Sequence, residues 1–262
     1  MTNSGRKLRR TFDEVAELYE RARPGYPPQL FEDLVTLARL RPAAEILEIG
    51  CGTGQATVEL ARRGFRVLCV ELGENLAAIA RRKLEPFPQA RVLTAAFESW
   101  SPGELRFDLV LAATSWHWLD PELRCARAAA ALRPGGALAI AAGGHVVPED
   151  GDPFFHEIQD VYQAIGEAEP HWRPPRPDER QDHREELEDC GLFTTLDSRR
   201  YLTESTYTAE QYVDLLETFS GHRTIDPARR QVLYRAIGER LGRRPAGTVR
   251  YHTLVTLTVA RR

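Results

Sequence analysis

The stretch Glu45-Ile-Leu-Glu-Ile-Gly-Cys-Gly-Thr-Gly54 runs a strand-like apolar segment into three alternating glycines, and residues 55–63 behind it read as a helix. Glycines at such a turn permit positive φ and leave no Cβ between the main chain and a ligand. The helix that follows presents unpaired N–H groups at its start. A dinucleotide fingerprint, G-x-G-x-x-G, is not completed here. Counted from Gly50 its last position is Gln55, and counted from Gly52 it is Thr57.

Outward from this turn the same pattern recurs. Short apolar runs at 66–70, 91–94, 108–112 and 137–142 alternate with amphipathic stretches at 75–83 and 121–132. That alternation predicts parallel strands joined by right-handed crossovers, with helices on both faces. Residues 193–203 and 249–260 return to β-branched, period-two sequence and add two strands, read as an antiparallel pair at the far edge. Helices are expected at 208–220 and 226–241, with Thr208 and Asp226 as N-caps and Pro227 at a first helical position. Upstream, 11–23 has helical spacing and is stopped by Pro24-Gly25-Tyr26-Pro27-Pro28, after which 29–39 forms a second helix.

The expected fold is therefore α/β: a doubly wound, Rossmann-like, seven-stranded, mostly parallel sheet with an antiparallel edge strand and a helical cap. One domain covers 1–262. Within it 1–40 supplies N-terminal helices or a lid, 41–143 the cofactor-binding core, 144–184 a proline-rich insertion over the ligand edge, and 185–262 the last strands and cap helices.

Composition narrows the function. The chain has 262 residues and a formal net charge of −3, with its basic residues scattered, so it carries no footprint for nucleic acid. No run approaches the roughly 18 to 20 apolar residues that cross a bilayer, and 1–10 is polar and basic, so no membrane partner and a cytoplasmic location are expected. Cys51, Cys69, Cys125 and Cys190 show no C-x-x-C spacing and read as free thiols. His156-Glu157 followed by Asp160 lacks the second histidine of a zinc-binding helix, so no metal is expected.

The decisive spacing is to Glu71, which closes the second strand 17 residues after Gly54. In a βαβ unit this places its carboxylate beside the glycine turn, where it can accept both hydroxyls of a ribose. E-I-G-C-G-T-G, the Glu71 strand end and L-R-P-G-G-A-L before the fifth strand resemble the class I S-adenosylmethionine (SAM)-dependent methyltransferases, over about 12–142. The segments F-D-E-V-A-E-L-Y-E-R-A-R-P-G-Y-P-P and S-W-H-W-L-D are similar to the small-molecule branch that includes trans-aconitate methyltransferase-like proteins.

That resemblance implies SAM as cofactor and a small-molecule methyl acceptor as partner. By position it assigns Glu48 and the Gly50, Cys51, Gly52 and Gly54 turn to the methionine part, and Glu71 to the ribose. Leu72, Phe97 and Glu98 fall around the adenine, Arg23 at the SAM carboxylate, and Thr114 among the cofactor contacts.

Ligands in open α/β sheets bind beyond the carboxyl ends of the strands, and the fourth strand delivers Ala113-Thr114-Ser115-Trp116-His117-Trp118 to that edge. The acceptor pocket is expected there, with His117 as a general base or, equally, a structural imidazole. If the strand conformation continues, Trp116 and Trp118 point to opposite faces and only one meets the acceptor. Tyr26, His145 and Trp172 are candidates to fold over the same edge. Two other readings remain: a SAM-binding sensor or assembly partner without transferase activity, and a nicotinamide dehydrogenase, which the absent third glycine disfavours.

Overall fold

The computed structural model describes residues 11–168 and 172–262. The polar 1–10 segment and residues 169–171 of the insertion lie outside the described residues.

Apolar runs become strands where both faces can be covered. The first half of the chain is α1 (Ala16–Ala22), α2 (Pro28–Leu37), β1 (Glu45–Ile49), α3 (Gln55–Arg62), β2 (Arg66–Glu71), α4 (Glu74–Leu84), β3 (Ala90–Thr94), β4 (Phe107–Ala113), α5 (Arg124–Ala131) and β5 (Leu132–Val146). The second half is α6 (Phe154–Glu157), α7 (Gln159–Ala164), α8 (Arg184–Asp189), β6 (Thr194–Thr208), α9 (Ala209–Glu217), α10 (Ser220–Thr224), α11 (Pro227–Gly242) and β7 (Thr248–Arg261).

The seven strands lie in the order β3-β2-β1-β4-β5-β7-β6. β1 to β5 are parallel, with Glu48 opposite Cys69 on one side and Leu111 on the other. β7 runs antiparallel to both β5 and β6, so the expected antiparallel pair closes the sheet's far edge. The winding direction reverses between β1 and β4, and the glycine turn leaves β1 at that point.

Side chains alternate between two cores. Ile46, Leu109, Leu111 and Leu257 pack on one face with Leu30, Phe31 and Leu34 of α2 and Leu60 of α3. Leu47, Ile49, Val110 and Ala112 pack on the other with Ala128 of α5 and Leu187 of α8. A sheet covered on both faces needs near-continuous apolar strands, which is why these strands show little alternation in sequence.

β5 runs to Val146, beyond the 137–142 expected. Gly143 and Gly144 hide the continuation, but pairing with β7 carries it through His145 opposite Thr253 to Val146 opposite His252. α5 starts at Arg124 rather than 121, after a turn. The insertion and the C-terminal helices share one further core. Phe154, Phe155 and Ile158 pack with Tyr212, Leu215 and Leu216 of α9 and with Leu233, Ile237 and Leu241 of α11. Asp152, buried, ties them together: it accepts the Phe154 N–H at 3.0 Å, the Arg250 N–H at 3.0 Å and Arg244 Nη2 at 2.8 Å. Thr208 and Asp226 cap α9 and α11 as their sequence suggests, each accepting main-chain N–H groups. The four cysteines are free.

Candidate active site

The glycine turn is set by close approach. Gly50 has φ of 67°, and a Cβ there would lie 2.8 Å from Ser115 Cβ. Ser115 in turn donates its hydroxyl to the Ile49 carbonyl, fastening the end of β1 to the segment after β4. Gly52, φ 55°, has nothing within 4 Å of its Cβ position, so its face is open. It borders a crevice of about 270 Å³ at the β1 and β4 ends.

Glu71 is bound to this turn. The Gly52 N–H donates to its Oε2 at 2.8 Å and the Gly73 N–H to its Oε1 at 2.8 Å. Each carboxylate oxygen keeps acceptor capacity beyond those bonds. Burial raises the Glu71 pKa although the two N–H groups oppose it. Beneath the turn Glu48, 1% exposed, accepts the Thr57 hydroxyl at 2.7 Å. Burial pushes its carboxyl up to about 7, against the Thr57 bond and aided by the charge of Glu71.

Arg23, Glu48, Gly50, Cys51, Gly52, Glu71, Leu72, Phe97, Glu98, Thr114 and His117 all line this crevice, as does Tyr26. Gly54 does not: it precedes α3 with its face against Ala80 of α4, so its smallness serves helix packing. Phe12, Tyr19 and Phe219 also line the crevice, together with Trp118. Phe12 and Tyr19 stand in the F-D-E-V-A-E-L-Y segment, and the Phe12 ring meets Trp118 edge-on at 5.4 Å. Phe219 carries no signal in the sequence.

The S-W-H-W segment corrects an expectation. Trp116–Trp118 is a turn of 3-10 helix, so the face alternation of a strand does not apply. Trp116 is 1% exposed and donates its indole N–H to Glu186 at 2.8 Å, away from either cavity, so it is a packing residue. Trp118 is the indole on the crevice. His117 lies against it, ring centroids 4.7 Å apart. Partial burial of the imidazole, with the nearby His183, Arg124 and Arg180, lowers its pKa to about 4, so it is neutral at physiological pH.

A larger chamber of about 730 Å³ adjoins the crevice, and Arg23, Tyr26, Thr114, Gly143 and Phe219 are among the residues that border both. Between them the Tyr26 and Thr114 hydroxyls share a hydrogen bond of 2.8 Å. Burial keeps the Tyr26 phenol protonated. Thr114 has φ of 56°, a left-handed conformation that costs roughly 1 to 3 kcal/mol in a residue with a branched Cβ. Arg23 donates Nε to Thr218 Oγ1 at 2.8 Å and Nη2 to the Thr218 carbonyl at 3.0 Å, with its guanidinium 4.4 Å from the Phe219 ring centroid.

Tyr26, His145 and Trp172 come together on this chamber, but at the ends of β5 and β7 rather than at the S-W-H-W segment. Their companions went unseen in the sequence: Tyr251, Thr253 and Val255 of β7, Phe155 and Tyr162 of the insertion, and Tyr212 of α9. His117 borders the crevice and is not among the residues that line the chamber. Among the described residues no group of three or more His, Cys, Asp or Glu side chains is placed to hold a metal ion, and no helix is long and apolar enough to cross a membrane.

Residues 46–136 match the family model of a methyltransferase domain. Over 170 residues the chain is 33% identical to an uncharacterized methyltransferase of Mycobacterium tuberculosis, a match covering 60% of this chain and 67% of that one. The chain belongs to the methyltransferases. The methyltransferase is also 32% identical over 159 residues to trans-aconitate 2-methyltransferase of Variovorax paradoxus, covering 60% of this chain and 54% of that one. Its fold matches the structure of a protein assigned to the type II methyltransferases from Anaeromyxobacter dehalogenans, with a TM-score of 0.59 at 23% identity over 91% of this chain and 97% of that one. The family match ends at 136, so it spans the crevice turn and stops short of the methyltransferase's β5 overhang and cap.

Proposed function

We propose that this methyltransferase uses SAM and transfers its methyl group to a small-molecule acceptor held in the 730 Å³ chamber. The observation that carries this is the Gly52 N–H bonded to Glu71 beside an open glycine face. Main chain and carboxylate are fixed to one another before any ligand arrives, which is preorganisation for a ribose-bearing group.

The residues present fit that cofactor. Side-chain bulk is missing at Gly52, where a Cβ would project into the crevice. Glu71 would hold the ribose hydroxyls, and the Gly50–Gly52 main chain with Glu48 the methionine part. Leu72, Phe97 and Glu98 would enclose the adenine. Arg23, which has no ion pair among the described residues, would face the carboxylate from the rim. Bound there, SAM supplies a methyl already activated on a sulfonium, so alignment and exclusion of water matter more than a strong base.

The Tyr26 and Thr114 pair marks where crevice and chamber meet, and its hydroxyls would orient the reacting groups across that boundary. His145 is one of two imidazoles on the chamber; burial and the charges of Arg180 and His252 hold it down at about 4, neutral and only weakly basic. A cavity of this size suits a small molecule. Free thiols fit a reducing, cytoplasmic setting.

Calorimetric titration tests the reading directly. Saturable binding of SAM and S-adenosylhomocysteine, with formation of the latter on adding acceptors, is expected. Absence of heat for both cofactors with a folded protein would overturn it.

A further inference from the structure

The chamber has a chemical character of its own. Eight of its 28 lining residues are Phe, Tyr or Trp, against 8% aromatic residues in the whole chain. Phe155 and Tyr251 form a continuous aromatic wall with His145, whose ring stacks on Tyr251 at 4.3 Å and 16° and lies 4.3 Å from Phe155. Tyr162 and the half-exposed Trp172 stand on the insertion side.

Its charge is not balanced. The lining carries Arg23, Arg180 and Glu167, and Glu167 pairs with Arg229 at 3.7 Å outside the lining. Burial lowers the pKa of both lining imidazoles, His145 and His222. Arg23 is turned onto Thr218 and the Phe219 ring. Arg180 differs: Nη2 donates to the His145 carbonyl at 3.4 Å, and neither Nη1 nor Nε has a partner among the described residues. Among the described residues no carboxylate pairs with this guanidinium, which leaves it available to an anion in the chamber.

The fold goes out of its way to seat it. The Arg180 guanidinium lies across Gly144 of β5, where any Cβ would overlap Nη2. Its main chain is pinned as well, since the Arg180 carbonyl accepts Arg200 Nη1 at 2.9 Å. A bare strand position therefore makes room for a cation at the chamber wall.

We infer that the acceptor is a flat, ring-bearing molecule with one anionic group, its rings held against Trp172 and Tyr162 and its anion by Arg180. This rests on the chamber being the acceptor site. Stacking on aromatic faces selects planar rings, and a guanidinium edge selects a carboxylate or similar planar anion. A small aliphatic polyanion is the opposite case. It would leave the rings uncovered, and it would find one available guanidinium where it needs several.

The test uses fluorescence titration of the full chain, with and without saturating S-adenosylhomocysteine, by pyrene-1-carboxylate, pyrene-1-carboxamide and citrate. The carboxylate should bind about tenfold to a hundredfold more tightly than the carboxamide, and citrate should not displace it. Arg180→Gln should equalise the two pyrenes, and Gly144→Ala, which pushes the guanidinium aside, should narrow the gap. Both variants should keep wild-type affinity for S-adenosylhomocysteine by calorimetry, which reports that they are folded. Equal binding of the two pyrenes by the wild type, displacement by citrate, or a preference that survives Arg180→Gln would overturn the inference. Loss of cofactor binding in the wild type would instead count against the proposed function, because the pyrene preference is read without cofactor too.

Discussion

The crevice and the chamber are neighbours built in opposite ways. The floor of the crevice is a short, continuous piece of chain, namely β1, its glycine turn and the end of β2, tied by main-chain N–H groups to one carboxylate, and segments around Arg23, Phe97, Thr114 and Phe219 complete its walls. The chamber is made of side chains from distant segments, among them those around Tyr26, His145, Phe155, Tyr212 and Tyr251. A backbone-built site tolerates little change, because each substitution alters φ or inserts a Cβ. A side-chain-built site can be altered one residue at a time. The two should therefore fail separately when they are perturbed.

The largest effect is expected in the cap. Leu233→Ala, at a position 0% exposed in the shared core of α9, α11 and the insertion, should cost about 2 to 5 kcal/mol in denaturant unfolding. Acceptor binding should weaken more than SAM binding, and equal losses would show that crevice and chamber are one unit. Next, Glu71→Ala should weaken SAM by about 1.5 to 3 kcal/mol in calorimetry, with pyrene-1-carboxylate affinity unchanged. An unaltered SAM affinity in the folded variant would remove Glu71 from the site.

Glu48 sharpens the contrast through pH. Its folded carboxyl titrates at about 7, above its ordinary value of 4.5, so the folded state holds the proton more tightly. That contribution to stability is whole below the ordinary value and is lost as pH rises through about 7. Glu48→Gln should consequently stabilise the cofactor-free protein by about 1 to 2 kcal/mol at alkaline pH and scarcely at all in acid, measured by thermal unfolding. SAM, a cation, should favour the ionised carboxyl. In the wild type its binding should release a proton below pH of about 7 and strengthen as pH rises to that value, seen by calorimetry in buffers of different ionisation heat.

The smallest effect belongs to His117. Its imidazole is already neutral, with a pKa near 4, and it borders the crevice alone. His117→Asn should lower kcat by less than about tenfold and leave no missing limb in the pH profile, whereas a general base would cost a hundredfold or more.

Local chemistry made the crevice legible. Positive φ at Gly50 and Gly52, the acid at the end of β2 and the caps at Thr208 and Asp226 are all decided by residues a few positions apart. The same locality gave no sign that Gly54 packs on Ala80, a helix away, or that Trp116 has Glu186, 70 residues on, as its partner. The chamber was hidden for that reason too. Gly143 and Gly144 look like the end of a strand until β7 is laid beside them, and the cap core joins residues 154–158 to 212–241. The period-two pattern of β7 does not say which strand it pairs with or how far that partner extends.

Where β5, β6 and β7 outrun the rest of the sheet, Tyr251, Thr253 and Val255 face the chamber at every second position. Their hydrogen-bonded ladder does not depend on what those three side chains are. Such a panel behaves like a keyboard mounted on a rigid frame: substrate preference can drift by exchanging single keys while cofactor handling, anchored at the β1 end, is inherited intact. Diversification of acceptors among descendants of this chain should accordingly be concentrated in those alternating positions.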